Sequence, residues 1–137
     1  MNLNSKRGFT LLELMIVLII IGVLAALALP RMFGMVEKSR GNEAMTFIRE
    51  IRNSLERCYT EKAGTYVDCD NFDNLDVDLS APNQHFTYTI TGVGATGYTI
   101  TATRNSADGG DGSSTITVTQ TATGYTRAGT GPWASWN

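Results

Sequence analysis

The chain has 137 residues, a hydrophobic fraction of 42% and a formal net charge of −2, which allows one modest core and provides no bulk basic field of the kind nucleic-acid binding uses. His85 is the single histidine, and no Cys or Ser stands in a recognisable nucleophile motif, so composition points away from an enzyme. At the N-terminus Lys6-Arg7-Gly8 precedes an apolar run, residues 9–29, in which Thr10 and Glu13 are the only strongly polar side chains. A run of about 20 apolar residues crosses a bilayer core as a helix. A carboxylate in such a span costs roughly 2.5–3.5 kcal/mol at the centre and less near an end, so Glu13 requires a partner. Cleavage between Gly8 and Phe9 would create one, because the new α-amino group lies one helical turn from Glu13. The positive end of the helix dipole also favours an acidic residue in the first turn. When such helices pack together, the amine of one can meet Glu13 of another, and association removes the penalty.

Two other readings of the same segment stay open at this point. An ordinary secretory signal would use Lys6-Arg7 as its basic region and Ala26-Leu27-Ala28 as its cleavage site, but the apolar region is longer than usual and Glu13 would have no use in it. A plain single-span anchor explains the length and the basic flank while leaving Glu13 without a reason.

The string RGFTLLELMIVLIIIGVLAALALP, Arg7 to Pro30, resembles the class III leader and N-terminal helix of type IV pilins and pseudopilins, most like a type IVa pilin. The resemblance rests on Gly8 before Phe9, Glu13 at the fifth place from the cut, and Gly22 and Pro30 within the helix, and it covers about a quarter of the chain. It implies removal of residues 1–8 by a prepilin peptidase, N-methylation of Phe9 and use of Glu13 in assembly. It further implies a hydrophobic transmembrane and assembly helix over residues 9–30 and a globular domain over 31–137. Loss of Lys6 and Arg7 would leave 9 basic and 13 acidic side chains, a formal charge of −4.

Beyond Pro30, which is expected to kink or loosen the helix, the polar segment 37–43 contains Gly41 and reads as a solvated or bent stretch. Ala44, Phe47, Ile48, Ile51, Leu55, Cys58 and Tyr59 then recur at three- and four-residue steps, the stripe of an amphipathic helix that ends near Lys62, where Ala63-Gly64 supplies a stop. After a loop over 63–85, three segments alternate apolar residues with threonine: Phe86, Tyr88 and Ile90; Tyr98, Ile100 and Ala102; Ile116 and Val118. Separated by the turn-rich segments 92–97 and 108–112, they predict an antiparallel meander with one face on the helix and a Thr-rich wet face opposite. A fourth strand around Gly124 to Arg127 is only weakly signalled. The fold class expected is α+β, a long N-terminal helix packed on a C-terminal antiparallel sheet.

Cys58 and Cys69 are the only cysteines. In an oxidising compartment a bridge between them would close a loop of about ten residues and contribute on the order of 2–3 kcal/mol. The alternative is two separate thiols with Cys58 in the core. Pilins often carry their disulfide nearer the C-terminus, so this placement departs from the family pattern. Asp68, Asp70, Asp73, Asp76 and Asp78 form a loop without a basic residue, whereas helix residues 31–62 carry seven basic side chains against five acidic ones. Complementary contact between subunits and a simply solvated acidic loop are both consistent with that distribution. Type II secretion pseudopilins can hold calcium in a C-terminal loop, and Asp108 with Asp111 in a Gly-rich turn suggests the same, although neither acidic cluster has EF-hand spacing. No other cofactor or metal is expected. Gly92 to Gly97 lacks the strand-turn-helix context of a dinucleotide site. Trp133 and Trp136 offer an aromatic surface or, more simply, pack the C-terminus onto the sheet.

The expected function is a structural pilin, polymerising with itself and with related minor pilins, matured by the prepilin peptidase and inner-membrane assembly machinery, resident in the bacterial inner membrane before assembly and in an extracellular surface filament afterwards. No nucleic-acid partner is expected. The alternatives are a pseudopilin in a periplasmic pseudopilus for protein export, and a monomeric membrane-anchored binding domain.

Overall fold

The computed structural model describes residues 8–78 and 85–136; the leader residues 1–7, part of the 63–85 loop at 79–84, and Asn137 lie outside the described residues. The chain forms two compact units, Met1–Val36 and Glu37–Asn137. Helix α1, Leu11–Glu61, contributes to both and continues through Pro30, so the loosening expected at that residue does not end the element. Good helix formers dominate the apolar portion, and the first turn carries Glu13. The stop at the far end is a left-handed turn: Ala63 has φ +58° and Gly64 φ +89°. There the Lys62 and Gly64 amides donate to the carbonyls of Cys58 and Tyr59 at 2.8 and 2.9 Å.

In the second unit the helix buries Ala44, Ile48, Ile51, Leu55 and Cys58, the three- and four-residue stripe that a single helical face requires. Phe47 and Tyr59 flank it half-buried. Opposite stands a four-stranded antiparallel sheet in the order β1 (Phe86–Thr91), β2 (Tyr98–Arg104), β3 (Thr115–Thr121) and β4 (Gly124–Gly129). Its register brings Tyr88, Ala102 and Ile116 into one row, and Ile90, Ile100 and Val118 into the next. Most of these side chains are fully enclosed with the helix stripe, and burying an aliphatic side chain contributes roughly 1.5–3 kcal/mol. The segment Gly92 to Gly97 has G-x-G-x-x-G spacing but links β1 to β2, two antiparallel strands, so it is a hairpin connection.

The weakly signalled fourth strand is present and longer than the pattern suggests, pairing Val118 with Arg127 and Gln120 with Tyr125. Its residues from Gly124 to Ala128 are exposed, so it has no alternation of burial for a sequence to display. On the sheet face turned from the helix, threonines stand beside threonines: Thr91, Thr99, Thr119 and Thr126 form one cross-strand row, and Thr89, Thr101 and Thr117 another. The Thr99 and Thr119 hydroxyls lie 3.3 Å apart.

The polar segment 37–43 is solvated on one face only: Lys38, Ser39, Asn42 and Glu43 are exposed, whereas Glu37 and Arg40 are half-buried. Gly41 is buried, and a Cβ there would come within 2.2 Å of Trp133 Nε1 and 2.8 Å of Trp136. The missing side chain makes room for the C-terminal indoles, a contact with a residue far along the chain that local composition does not reveal.

Candidate functional site

Ahead of α1, Gly8 and Phe9 have no regular secondary structure, and Phe9 is 83% exposed. Thr10 then caps α1: its hydroxyl accepts from the Glu13 amide at 3.2 Å, and the Glu13 carboxylate accepts from the Thr10 amide at 3.4 Å. This reciprocal pair is a capping box, which satisfies two of the amides a helix start leaves free. The sequence signal was T-x-x-E directly before an apolar run; attention to the Glu13 charge alone passes over Thr10. From there to Val36 every residue is exposed within the structure, including Leu14, Ile19, Val23, Leu27 and Phe33. Among the described residues, α1 is long and apolar enough to cross a membrane. Glu13 is the acidic group on this surface, and a bare apolar rod of this length is unfavourable in water.

In the second unit, a clamp missed by sequence reasoning holds the helix. Arg104, 1% exposed at the end of β2, donates through Nε and Nη2 to the two Glu37 carboxylate oxygens at 3.1 and 3.3 Å. Its Nη1 donates to the carbonyls of His85, Asn105 and Ala107. Arg40 adds a second guanidinium to Glu37 at 2.8 Å, and the Trp133 indole donates to the Glu37 carbonyl at 3.1 Å. The hydrogen bond from Arg104 holds the Glu37 carboxyl below its ordinary range, against the opposing effect of burial. Phe86 and Trp133 close the clamp with ring centroids 5.2 Å apart.

At the other end of the helix a disulfide joins Cys58 to Cys69, with Cα atoms 6.2 Å apart. The bridge pins the acidic loop beside Tyr66, whose hydroxyl donates to Glu56 at 2.9 Å and whose ring meets Tyr59 and Tyr98. Burial, reinforced by the Glu56 carboxylate, pushes the Tyr66 hydroxyl up. In the Gly-rich turn, Asp111 accepts from the amides of Ser113 and Ser114 at 3.0 and 2.9 Å and from the Ser114 hydroxyl, bonds that pull its carboxyl down to about 2. Its oxygens thus organise the turn itself; the Asp108 side chain, the other half of the calcium expectation, lies outside the described part. Among the described residues no group of three or more His, Cys, Asp or Glu is arranged to hold a metal ion. Trp133 is buried at the C-terminal end of the sheet, and Trp136 is partly covered beside it.

Residues 30–117, well over half of the chain, match the sequence model of the family described as type IV minor pilin ComP, DNA uptake sequence receptor. The chain belongs to this type IV minor pilin family. Residues 3–29 of the pilin match the prokaryotic N-terminal methylation motif, the segment that holds Gly8, Phe9 and Glu13. The pilin is similar to a fimbrial protein of Moraxella nonliquefaciens, 38% identical over 72 residues that cover 48% of this chain and 47% of the relative. It is similar to type II secretion system core protein G of Escherichia coli K12, 45% identical over 53 residues, 39% of this chain and 37% of the relative. It is also similar to the type IV major fimbrial protein FimA of Dichelobacter nodosus, 33% identical over 100 residues, 71% of this chain and 62% of the relative. The pilin thus spans about a third to three fifths of the length of these relatives.

Proposed function

We propose that this pilin is a structural subunit of a type IV pilus-like filament. In this reading the prepilin peptidase cuts after Gly8, Phe9 is N-methylated, residues 9–30 anchor the precursor in the inner membrane, and the domain over 31–137 stays outside it. Inner-membrane machinery then polymerises the chain with copies of itself and with related minor pilins into a surface filament. The observation that carries the reading is the apolar surface from Phe9 to Val36, helical from Leu11 onward, uncovered along its length and bearing Glu13 near its start. Only a bilayer or a bundle of like helices keeps such a surface from water, and the methylation motif over residues 3–29 supports the bundle.

The capping box sharpens the role of Glu13. In the precursor its carboxylate is occupied with the Thr10 amide; after the cut it would exchange that weak exposed bond for the amine of a neighbouring subunit, a charged partner in a low-dielectric setting. The family's description extends to a DNA uptake receptor, but the net charge of −2 gives this pilin no overall basic field, so the reading rests on the subunit role. The similarity to core protein G favours one other reading, a pseudopilin in a short periplasmic pseudopilus for export. Shearing cells and analysing the released material separates the two. A surface pilin appears as filaments whose first residue by mass spectrometry is N-methylated Phe9; a pseudopilin stays with the cells. A start at Met1 or Leu29 would refute both.

A further inference from the structure

Between α1 and β4 the second unit carries a groove of about 220 Å³ walled by Arg49, Arg52, Arg127 and Tyr125 over a floor that includes Ile48 and Val118. Tyr125 and Arg127 lie on the same sheet face as Val118, but at an edge where β4 has no buried residue between Gly124 and Ala128. The Arg52 guanidinium stacks 4.2 Å over the Tyr125 ring, and Arg127 stands 5.5 Å over Trp136. No ion pair to Arg49, Arg52 or Arg127 is found among the described residues. Three guanidinium groups without carboxylate partners around an apolar floor form a receptor for a segment that is both acidic and greasy.

The chain contains such a segment. The disulfide-pinned loop, residues 68–78, carries five aspartates and no basic side chain. Asp68, Asp70, Asp73 and Asp76 are exposed, and Val67 beside them is 45% exposed. None of the groove-lining residues comes from this loop.

We propose that the groove receives the acidic loop of a second copy of this chain, with Arg49, Arg52 and Arg127 facing the aspartates and Val67 over the apolar floor. Groove and loop are different surfaces of one molecule, so the contact is heterologous, and each subunit presents its groove to one neighbour and the exposed Asp68, Asp70, Asp73 and Asp76 to another. Such a contact propagates without closing a dimer, as a filament requires. Single exposed ion pairs contribute little, but several that lose water together over an apolar floor fix register and exclude misaligned neighbours. The proposal rests on the filament reading and adds the surface that sets how neighbouring domains dock.

The test is a charge swap in the full chain, read as sheared filament yield against the amount of precursor in the membrane fraction. Arg49→Glu with Arg127→Glu, and separately Asp70→Arg with Asp73→Arg, should each lower the yield about tenfold or more, and all four together should restore it. The four residues are exposed, and unchanged precursor levels will show that each variant folds. Should a variant be degraded, cells producing Arg127→Cys and Asp73→Cys chains together give a second measurement: oxidation should trap a mixed dimer. Wild-type yields from either reversed pair, no recovery in the combined variant, or no mixed dimer from filaments would overturn the proposal. So would salt-sensitive binding of duplex DNA by the detergent-solubilised chain that Arg49→Glu with Arg127→Glu abolishes while filaments remain normal. If the wild-type chain makes no filament at all, the subunit reading itself fails, a result distinct from each of these.

Discussion

Replacing Gly41 by alanine sets two physical effects against each other, and the structure decides the sign. On helix propensity alone, glycine to alanine in a helix interior stabilises by about 1 kcal/mol. At this position, however, the new Cβ would lie 2.2 Å from Trp133 Nε1 and 2.7 Å from its Cδ1. The indole has little freedom to retreat: it is fully buried, it donates to the Glu37 carbonyl at 3.1 Å and it packs on Phe86. Overpacking of this kind costs typically 1–3 kcal/mol, and displacement of the indole forfeits a hydrogen bond of about 0.5–1.5 kcal/mol. The net expectation is a loss of roughly 1–3 kcal/mol, or a melting temperature lower by about 4–8 °C for each kcal/mol in a domain of about a hundred residues. Trp133 and Trp136 are the only tryptophans and both line this contact, so intrinsic fluorescence in detergent reports the melt and any shift of the indoles. Gly34→Ala, where a Cβ meets nothing within 4 Å, is the control and should leave that fluorescence melt unchanged. A Gly41→Ala variant that melts at or above the parent temperature with an unaltered emission maximum would refute the close-approach argument.

Glu37→Gln should destabilise the domain by about 2–3 kcal/mol in chemical denaturation, below the full range for breaking a buried pair, because Glu37 is 23% exposed while Arg104 is 1% exposed. Since the folded carboxyl titrates below its unfolded value of about 4.5, its stabilisation is present above that pH and is lost as pH falls through the folded value. Denaturation at pH 7 and at pH 3 should therefore show a smaller acid loss in Glu37→Gln than in the parent; equal losses would argue against the clamp. Reduction of Cys58–Cys69 should lower stability by about 2–3 kcal/mol, and an unchanged melt with dithiothreitol would show that the loop is held by its aromatic contacts alone. Glu13→Gln keeps a side chain able to close the capping box but removes the charge, so precursor should still insert and be cut while filaments disappear. Thr10→Ala does the reverse, weakening the helix start by about 0.5–2 kcal/mol while retaining the carboxylate, and should still assemble. Normal filaments from the Glu13→Gln variant, scored by electron microscopy of sheared material, would remove the charge from the mechanism.

The parts of the fold visible in the sequence are those written in local period. The stripe from Ala44 to Cys58 and the alternation in β1, β2 and β3 each place one face against the core, so a pattern of 3.6 or 2 suffices to find them. Strand β4 is only weakly signalled because its faces are both exposed: Tyr125 and Arg127 alternate with Thr126 and Ala128, and no greasy side is there to read. The covered face of segment 37–43 has no local signal because the groups that meet Glu37, Arg104 and Trp133, arrive from 67 and 96 residues away. At the N-terminus Glu13 stands out by chemistry, a carboxylate in an apolar run, whereas Gly8 and Phe9 are marked by the resemblance to the pilin leader. Thr10 needed the capping rule, and the groove arginines needed the sheet register before they stood together.

The threonine rows on the far side of the sheet have a consequence for how this molecule can change over time. Those side chains are short and uncharged, and their neighbours across the strands are mostly of the same kind, so exchanging one for another β-compatible residue alters cross-strand energies by only about 0.2–1 kcal/mol. The interior layer beneath is insulated from such exchanges by the backbone between them. Mutational drift can therefore rewrite the coat of this domain while the framework that folds it stays fixed.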